Sequence, residues 1–130
     1  IQSCIFAKMF SLLLIEETQL LLSKIADVIL AIESELRRLE LWSDETPSKE
    51  ALSSPQPFCY DTLSFPQWVQ WIFIPRMKQV IEEGGALPEK SLIQPMAEEM
   101  LKDLDNDFSH FLTLLSQFDE LINQGANESK

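Results

Sequence analysis

The sequence predicts a single all-α domain folded as a compact helical bundle, and three observations support this fold class. The chain has 20 Leu but only 3 Val, 4 Thr and 1 Tyr, and Leu favours helices whereas β-branched and aromatic residues favour strands. Two long stretches carry apolar residues at alternating steps of three and four, which is the helical period. A length of 130 residues, 45% of them hydrophobic, is enough for one packed core. We therefore expect two long amphipathic helices and a Trp-rich helix kinked by a proline.

The first long helix is predicted over 15–39 and is expected to end near Trp42. Its apolar stripe consists of Ile15, Leu22, Ile25, Ile29, Ile32, Leu36 and Leu39. The segment 1–17 is predicted to be an N-terminal extension or the start of this helix. Because 5–14 is largely apolar, we expect the N-terminal segment to extend the helix and to pair two copies of the chain as a homodimer.

The connection 43–63 is rich in Ser, Pro and acidic residues. Its three prolines lack amide donors and keep the preceding residues out of the helical region, so no long helix is expected here. Leu52, Phe58 and Tyr60 are expected to hold the connection against the core, because solvated linkers seldom carry apolar anchors.

The Trp-rich helix is predicted over about 65–83. Ser64 and Gln67 have the spacing of a capping box at its start, and the Gly pair at 84–85 is expected to end it. Pro75 lies inside this helix and lacks an amide donor, so we expect a bend there.

Two further helical segments follow. Pro95 is predicted to be the first residue of one helix, with Glu98 and Glu99 complementing its positive N-terminal end. The apolar stripe then continues over 101–122, with a break and a new cap expected at 105–107. We assign 18–125 to the helical domain and 126–130 to a frayed tail.

Charge and composition argue against several functions. The net charge of −11 disfavours direct nucleic-acid binding, because phosphates are repelled by an acidic surface. No uncharged run approaches the roughly 20 residues that span a bilayer, so no membrane association is expected. Cys4 and Cys59 lack CxxC spacing, and the start of the chain lacks the features of a secretory signal. We therefore predict a cytoplasmic location with reduced thiols.

The patterns that usually carry catalysis, metals or cofactors are also missing from the sequence. The three glycines form no phosphate-binding loop, and His110 has no HExxH or CxxC pattern near it. Asp103, Asp105 and Asp107 resemble the opening of a calcium loop, but the required Gly and final Glu are absent. We predict no catalytic residues, no metal and no cofactor.

The stretch 55–77 contains the densest group of aromatic, proline and charged residues. The candidate binding residues are Asp61, Trp68, Trp71 and Arg76 from this stretch, together with Glu98. We favour an ion pair of Arg76 with Asp61 or with another carboxylate, which would clamp the connection to the Trp-rich helix. We also expect the tryptophans, which have helical spacing, to belong to the core. The alternative is a ligand site between the 52–63 connection and the 65–83 helix.

Several short motifs, in this order and spacing, resemble the YqcC-like family of small bacterial proteins. The motifs are Leu41-Trp42, Pro57-Phe58-Cys59-Tyr60-Asp61-Thr62-Leu63, Trp68-Val69-Gln70-Trp71, Ile74-Pro75-Arg76-Met77, Leu87-Pro88 and Ile93-Gln94-Pro95-Met96-Ala97-Glu98. The resemblance covers about 20–125 and implies an all-helical single domain without known catalytic residues. It also implies an accessory role in tRNA modification, because family genes neighbour a tRNA pseudouridine synthase gene.

Together these observations favour a non-catalytic cytosolic interaction module that binds a protein partner. A basic RNA-modifying enzyme is the expected partner class, because an acidic surface attracts a basic one. The alternative function is a small-ligand binder or an enzyme that uses the site beside the Trp-rich helix.

Overall fold

The regular elements of the computed structural model are all helical. The structure describes the backbone of 2–56, 59–84 and 87–128, and the side chains of 19–56, 59–84 and 87–124. The elements are α1 (Gln2–Arg38), α2 (Lys49–Leu52), α3 (Phe65–Trp68), a π-helical segment (Val69–Phe73), α4 (Ile74–Glu83), α5 (Ile93–Leu101) and α6 (Ser109–Glu128). The predicted all-α fold class is confirmed. Over the described ranges, no helix is both long enough and apolar enough to cross a membrane.

The core forms where α1 packs along α6, with the other helices closing over their shared face. The fully buried side chains of these two helices are Ile25, Ile29, Ile32 and Leu36 from α1, and Phe111, Leu115, Phe118 and Ile122 from α6. They recur at steps of three and four, so each helix turns one apolar face inward. The two predicted amphipathic stripes therefore meet in a single core.

Helix α1 ends at Arg38, earlier than the end near Trp42 that the sequence predicts. The chain leaves the helix through Glu40, whose φ of 61° is left-handed. The amide of Leu41 donates to the carbonyl of Leu36 at 2.9 Å, and the amide of Glu40 donates to the carbonyl of Arg37 at 3.1 Å. This pair of bonds is a Schellman motif, which usually has glycine at the left-handed position. A glutamate there gives no sequence signal for a helix end.

The Trp-rich helix is continuous over 65–83 and begins and ends as predicted. Ser64 Oγ accepts from the amide of Gln67 at 3.3 Å, and Gln67 Oε1 accepts from the amide of Ser64 at 2.9 Å. Gly84 ends the helix in the left-handed conformation, with φ of 62°. The sequence predicts a bend at Pro75. The structure has a π-helical segment just before this residue, where the amide of Ile74 donates to the carbonyl of Val69, five residues back.

Of the three residues predicted to hold the connection against the core, the structure contradicts Tyr60. Tyr60 is 61% exposed, whereas its neighbour Cys59 is buried. Cys59 has a left-handed φ of 49°, and its carbonyl accepts from the amide of Leu63 at 2.8 Å. This tight turn places Cys59 and Leu63 inward and leaves Tyr60 outside. Leu52 is half-buried, and Phe58 lies outside the described residues.

The last two helices differ from prediction at their boundaries. Helix α5 begins at Ile93, two residues before Pro95. The chain leaves α5 after Leu101 and restarts at Ser109, the break that the Asp-rich segment predicts. Helix α6 continues through Gly125 to Glu128. One glycine inside a helix costs only about 1 kcal/mol relative to alanine, so Gly125 does not by itself end the helix.

Candidate functional site

An open apolar pocket of about 360 Å³ lies between the Trp-rich helix and the start of α5, above α6. The Trp-rich helix supplies one wall, the segment 88–96 supplies the other, and α6 supplies part of the floor. The lining residues are Trp68, Phe73, Arg76, Met77, Pro88, Lys90, Ser91, Leu92, Ile93, Met96 and Phe118. Most of these side chains are apolar, and no carboxylate is among them.

Three aromatic rings form a rigid part of the pocket. The ring of Trp68 stacks on Phe73, with centroids 5.6 Å apart, and Phe73 meets Phe118 edge to face at 4.9 Å. Phe73 and Phe118 are buried, and Trp68 is half-buried. Aromatic pairs in these two arrangements are favourable beyond the area they bury, so we expect these rings to keep their positions.

The π-helical segment explains how Trp68 and Phe73 come together. Residues five apart on an α-helix point about 140° away from each other, at about 100° per residue. The wider π turn takes up one extra residue and reduces this angle, so the two rings stack. The pocket therefore depends on a local irregularity of the helix.

The opposite wall is attached to α6 by hydrogen bonds to two polar side chains. The buried carboxylate of Asp119 accepts from the amides of Ile93 at 3.0 Å and Gln94 at 2.9 Å, and from Ser91 Oγ at 2.5 Å. The side-chain amide of Asn123 accepts from the amide of Ser91 at 3.0 Å and donates to its carbonyl at 3.1 Å. Asp119 thus caps α5 from another helix. This cap explains why α5 begins before Pro95.

Two exposed apolar side chains and two cations border the pocket. Leu92 is 55% exposed and Met96 is 38% exposed, although both are large apolar residues. Arg76 and Lys90 are exposed, and neither pairs with a carboxylate in the part of the chain that the structure describes. The site therefore offers apolar surface and positive charge on a protein with a net charge of −11.

Of the five predicted site residues, the structure brings two to this pocket, Trp68 and Arg76. Asp61 instead accepts from Ser54 Oγ at 2.5 Å, within the connection. Glu98 accepts from the side-chain amide of Gln94 at 2.6 Å. Trp71 does not line the pocket, and its buried Nε1 has no hydrogen-bond partner among the described residues.

The predicted clamp between Arg76 and Asp61 is wrong. Gln70 connects the two segments instead, because its buried side chain accepts from the amide of Ser43 at 2.8 Å and donates to its carbonyl at 2.6 Å. An uncharged amide satisfies both backbone groups without burying an ion. Arg76 is left at the protein surface.

Sequence reasoning missed the second wall of the pocket. Lys90, Leu92 and Met96 lie on or near a short loop, where no periodic pattern distinguishes exposed apolar residues from buried ones. The alternative prediction places a ligand site between the 52–63 connection and the 65–83 helix. The helix does line this pocket, but no described residue of the connection does. Metal binding gains no support either, since the described side chains form no group of three potential His, Cys, Asp or Glu ligands.

The fold and the pocket together define a small acidic helical protein with an apolar, cation-bordered recess. Residues 24–121 match the family model described as DUF446, tRNA pseudouridine synthase C, and the chain belongs to this family. An uncharacterized protein of Haemophilus influenzae (strain Rd) is 43% identical over 88 residues, which are 68% of this chain and 82% of that protein. The uncharacterized protein YqcC of Escherichia coli K12 is 30% identical over 97 residues, 75% of this chain and 89% of that one.

The solved structure of a relative confirms both the family and the fold. The solution NMR structure of YqcC from E. coli has a TM-score of 0.71 with this chain at 27% identity, covering 79% of this chain and 88% of that one. The predicted YqcC-like resemblance is therefore confirmed.

A longer relative has a different name. A protein of Pectobacterium carotovorum named tRNA pseudouridine synthase C is 40% identical over 57 residues. Those residues make up 44% of this chain but only 15% of the Pectobacterium protein.

Proposed function

We propose that this protein is a non-catalytic interaction module that binds a tRNA pseudouridine synthase in the cytoplasm. The observation that carries the proposal is the apolar pocket with exposed Leu92 and Met96 at its edge. Protein interfaces concentrate their binding energy in a few aromatic, Met and Arg side chains around a desolvated centre. Trp68, Met96 and Arg76 provide these residue types at one place.

The identity of the partner is supported by the longer relative. In Pectobacterium a segment similar to this chain belongs to a protein named tRNA pseudouridine synthase C. In E. coli and H. influenzae similar sequences make up most of a small separate protein. A segment that is joined to an enzyme in one organism and separate in others fits a module that associates with that enzyme.

Electrostatics supports the same class of partner. An enzyme that binds tRNA must offer positive charge to the phosphates. The net charge of −11 on this chain attracts such an enzyme and speeds association, more strongly at low salt. This acidic charge argues against direct tRNA binding, so we assign the RNA contact to the partner.

The test is binding of the full chain to the purified tRNA pseudouridine synthase C of the same cell, measured by calorimetry at low and moderate salt. Replacing Leu92 and Met96 together by Ser is expected to weaken binding about tenfold or more. The matched control replaces Leu30 and Leu104 by Ser, because these apolar residues are 56% and 46% exposed but do not line the pocket. Circular dichroism confirms that each variant is folded. Absence of binding by the wild type at both salt concentrations would contradict the proposal.

A second candidate function is binding of a small ligand. The pocket volume of about 360 Å³ lies in the usual range of small-molecule sites, about 300–1,000 Å³. In this case the ligand would contact Trp68 and Arg76, whereas Asp61 and Glu98 are engaged elsewhere. Calorimetry with octanoate, a small carboxylate with an apolar chain, tests this function directly.

Homodimer formation is a separate proposal. Helix α1 starts at Gln2, so residues 2–17 of the N-terminal segment are part of the helix. Leu20 on the same helix is 57% exposed, which supports apolar surface available for a second copy. Light scattering is expected to give a dimer for the full chain and a monomer for a chain that begins after the segment. A dimer that persists after truncation would exclude this segment as the interface.

A further inference from the structure

We propose that the pocket receives a short acidic segment of the partner, in which a bulky apolar side chain enters the recess and neighbouring Asp or Glu side chains pair with Arg76 and Lys90. This inference rests on the proposed function and adds the chemistry of the partner's contact element. It assigns to Lys90 and Arg76 a recognition role.

The first argument is the distribution of charge. Several basic side chains pair with carboxylates: Lys78 lies 3.5 Å from Glu33, and Lys102 lies 2.6 Å from Glu99. Lys24 and Lys49 have no ion pair among the described residues, but neither of them lines the pocket. At the pocket, by contrast, both charged lining residues are cations without a partner in the described ranges. Two unpaired cations beside apolar surface attract a carboxylate, and Arg can bind one through two parallel hydrogen bonds.

No described carboxylate forms an ion pair with Arg76 or Lys90. Asp119 is buried and already accepts from three donors of the pocket wall. Glu98 accepts from Gln94. Glu89 precedes Lys90 but does not line the pocket. Arg76 and Lys90 are therefore available to pair with an anionic group of another molecule.

The second argument concerns the shape and surroundings of the pocket. Small-molecule sites usually bury about 70–90% of their ligand. This pocket is open, and its apolar surface continues onto Leu92 and Met96, which are largely or partly exposed. A side chain on a peptide backbone fills such a recess while its neighbours cover the apolar edge. A peptide segment therefore fits the site better than a small amphipathic carboxylate.

The test is selection of phage-displayed random peptides of about 12 residues on the immobilised full chain. We expect enriched peptides to share an aromatic or large aliphatic residue with Asp or Glu nearby. The best peptide is then synthesised and its affinity measured by calorimetry. Enrichment of basic or uncharged peptides, or no enrichment, would overturn the inference. Binding of octanoate without any enriched peptide would overturn it in favour of a small ligand.

Charge-reversal variants test the two cations. The Arg76→Glu, Lys90→Glu double variant is expected to bind the selected peptide at least about tenfold more weakly, because like charges then face each other. The Lys24→Glu, Lys49→Glu variant is the control, since both residues are exposed, line no part of the pocket and change the net charge equally. A peptide with Lys in place of its acidic residues should recover affinity for the pocket variant only. Equal losses in both variants would refute the pairing.

The same reagents separate this inference from the proposed function. If the chain selects acidic peptides but does not bind the synthase, the proposed partner is wrong and the chemistry of the pocket stands. If the synthase binds, and charge reversal at Arg76 and Lys90 leaves that affinity unchanged, the proposed function stands and the inference fails.

Discussion

Replacing Asp119 by Ala should destabilise the fold and detach one wall of the pocket. The carboxylate is 7% exposed and accepts from Ile93, Gln94 and Ser91. Loss of a helix cap costs about 0.5–2 kcal/mol, and a buried amide left without an acceptor costs about 1–3 kcal/mol. The amide of Ile93 is the buried donor, whereas Gln94 and Ser91 are half-buried and can bond to water. We therefore expect a loss of about 2–4 kcal/mol in the free energy of unfolding.

Urea unfolding followed by circular dichroism measures this loss. For a slope of about 2 kcal/mol per M, the midpoint should fall by about 1–2 M. Asp119→Asn retains one oxygen acceptor and should lose less. Asp105→Ala is the control, because Asp105 is exposed with no hydrogen bond among the described residues, and it should stay within about 0.5 kcal/mol of the wild type. A midpoint for Asp119→Ala equal to that of the control would refute the proposed cap.

Three further changes test the structure at other places. Glu40→Gly should raise the free energy of unfolding by about 0.5–1 kcal/mol in the same urea experiment, because glycine adopts the left-handed conformation without steric cost. Gln70→Ala should lower it by about 1–3 kcal/mol, because two hydrogen bonds to the backbone of Ser43 are lost, each of which contributes about 0.5–1.5 kcal/mol. Hydrogen bonds from Ser109 lower the pKa of Asp107 below 3.8. The ionised carboxylate therefore stabilises the folded state above pH 3.8, and this stabilisation is lost as the pH falls through the folded-state pKa. In urea unfolding measured at a series of acidic pH values, the free energy of unfolding of Asp107→Asn should therefore fall less steeply with decreasing pH than that of the wild type.

The long helices could be predicted because their burial follows a single period. Ile25 and Phe111 belong to stripes that the sequence shows directly, and both are fully buried. Helix ends were harder to predict, since they depend on single residues in unusual conformations or on distant partners. Glu40 adopts a left-handed φ without being glycine, and the start of α5 depends on Asp119, which is 26 residues beyond Ile93.

The sequence predicts only part of the candidate site, because some of its residues belong to a local motif and others reach it through tertiary packing. Trp68 and Arg76 were identified because they belong to a dense local motif. Asp61 was assigned to Arg76 because opposite charges in one motif suggest a pair, but the nearer Ser54 hydroxyl bonds to it within the same loop. Lys90 and Leu92 reach the pocket through tertiary packing, which no local pattern encodes.

The pocket lies where two departures from regular helix structure meet. On one wall, the π-helical segment aligns Trp68 with Phe73, which a regular α-helix would separate. On the other wall, α5 starts without a cap of its own and relies on Asp119 from α6. Natural sequences usually agree with their structure at the local level, and departures from that agreement concentrate at functional sites. Both departures here support one recess, where apolar side chains and unpaired cations remain exposed. The acidic, apolar partner segment proposed above would contact both walls of this recess at once, so each departure from regular helix structure would contribute to its recognition.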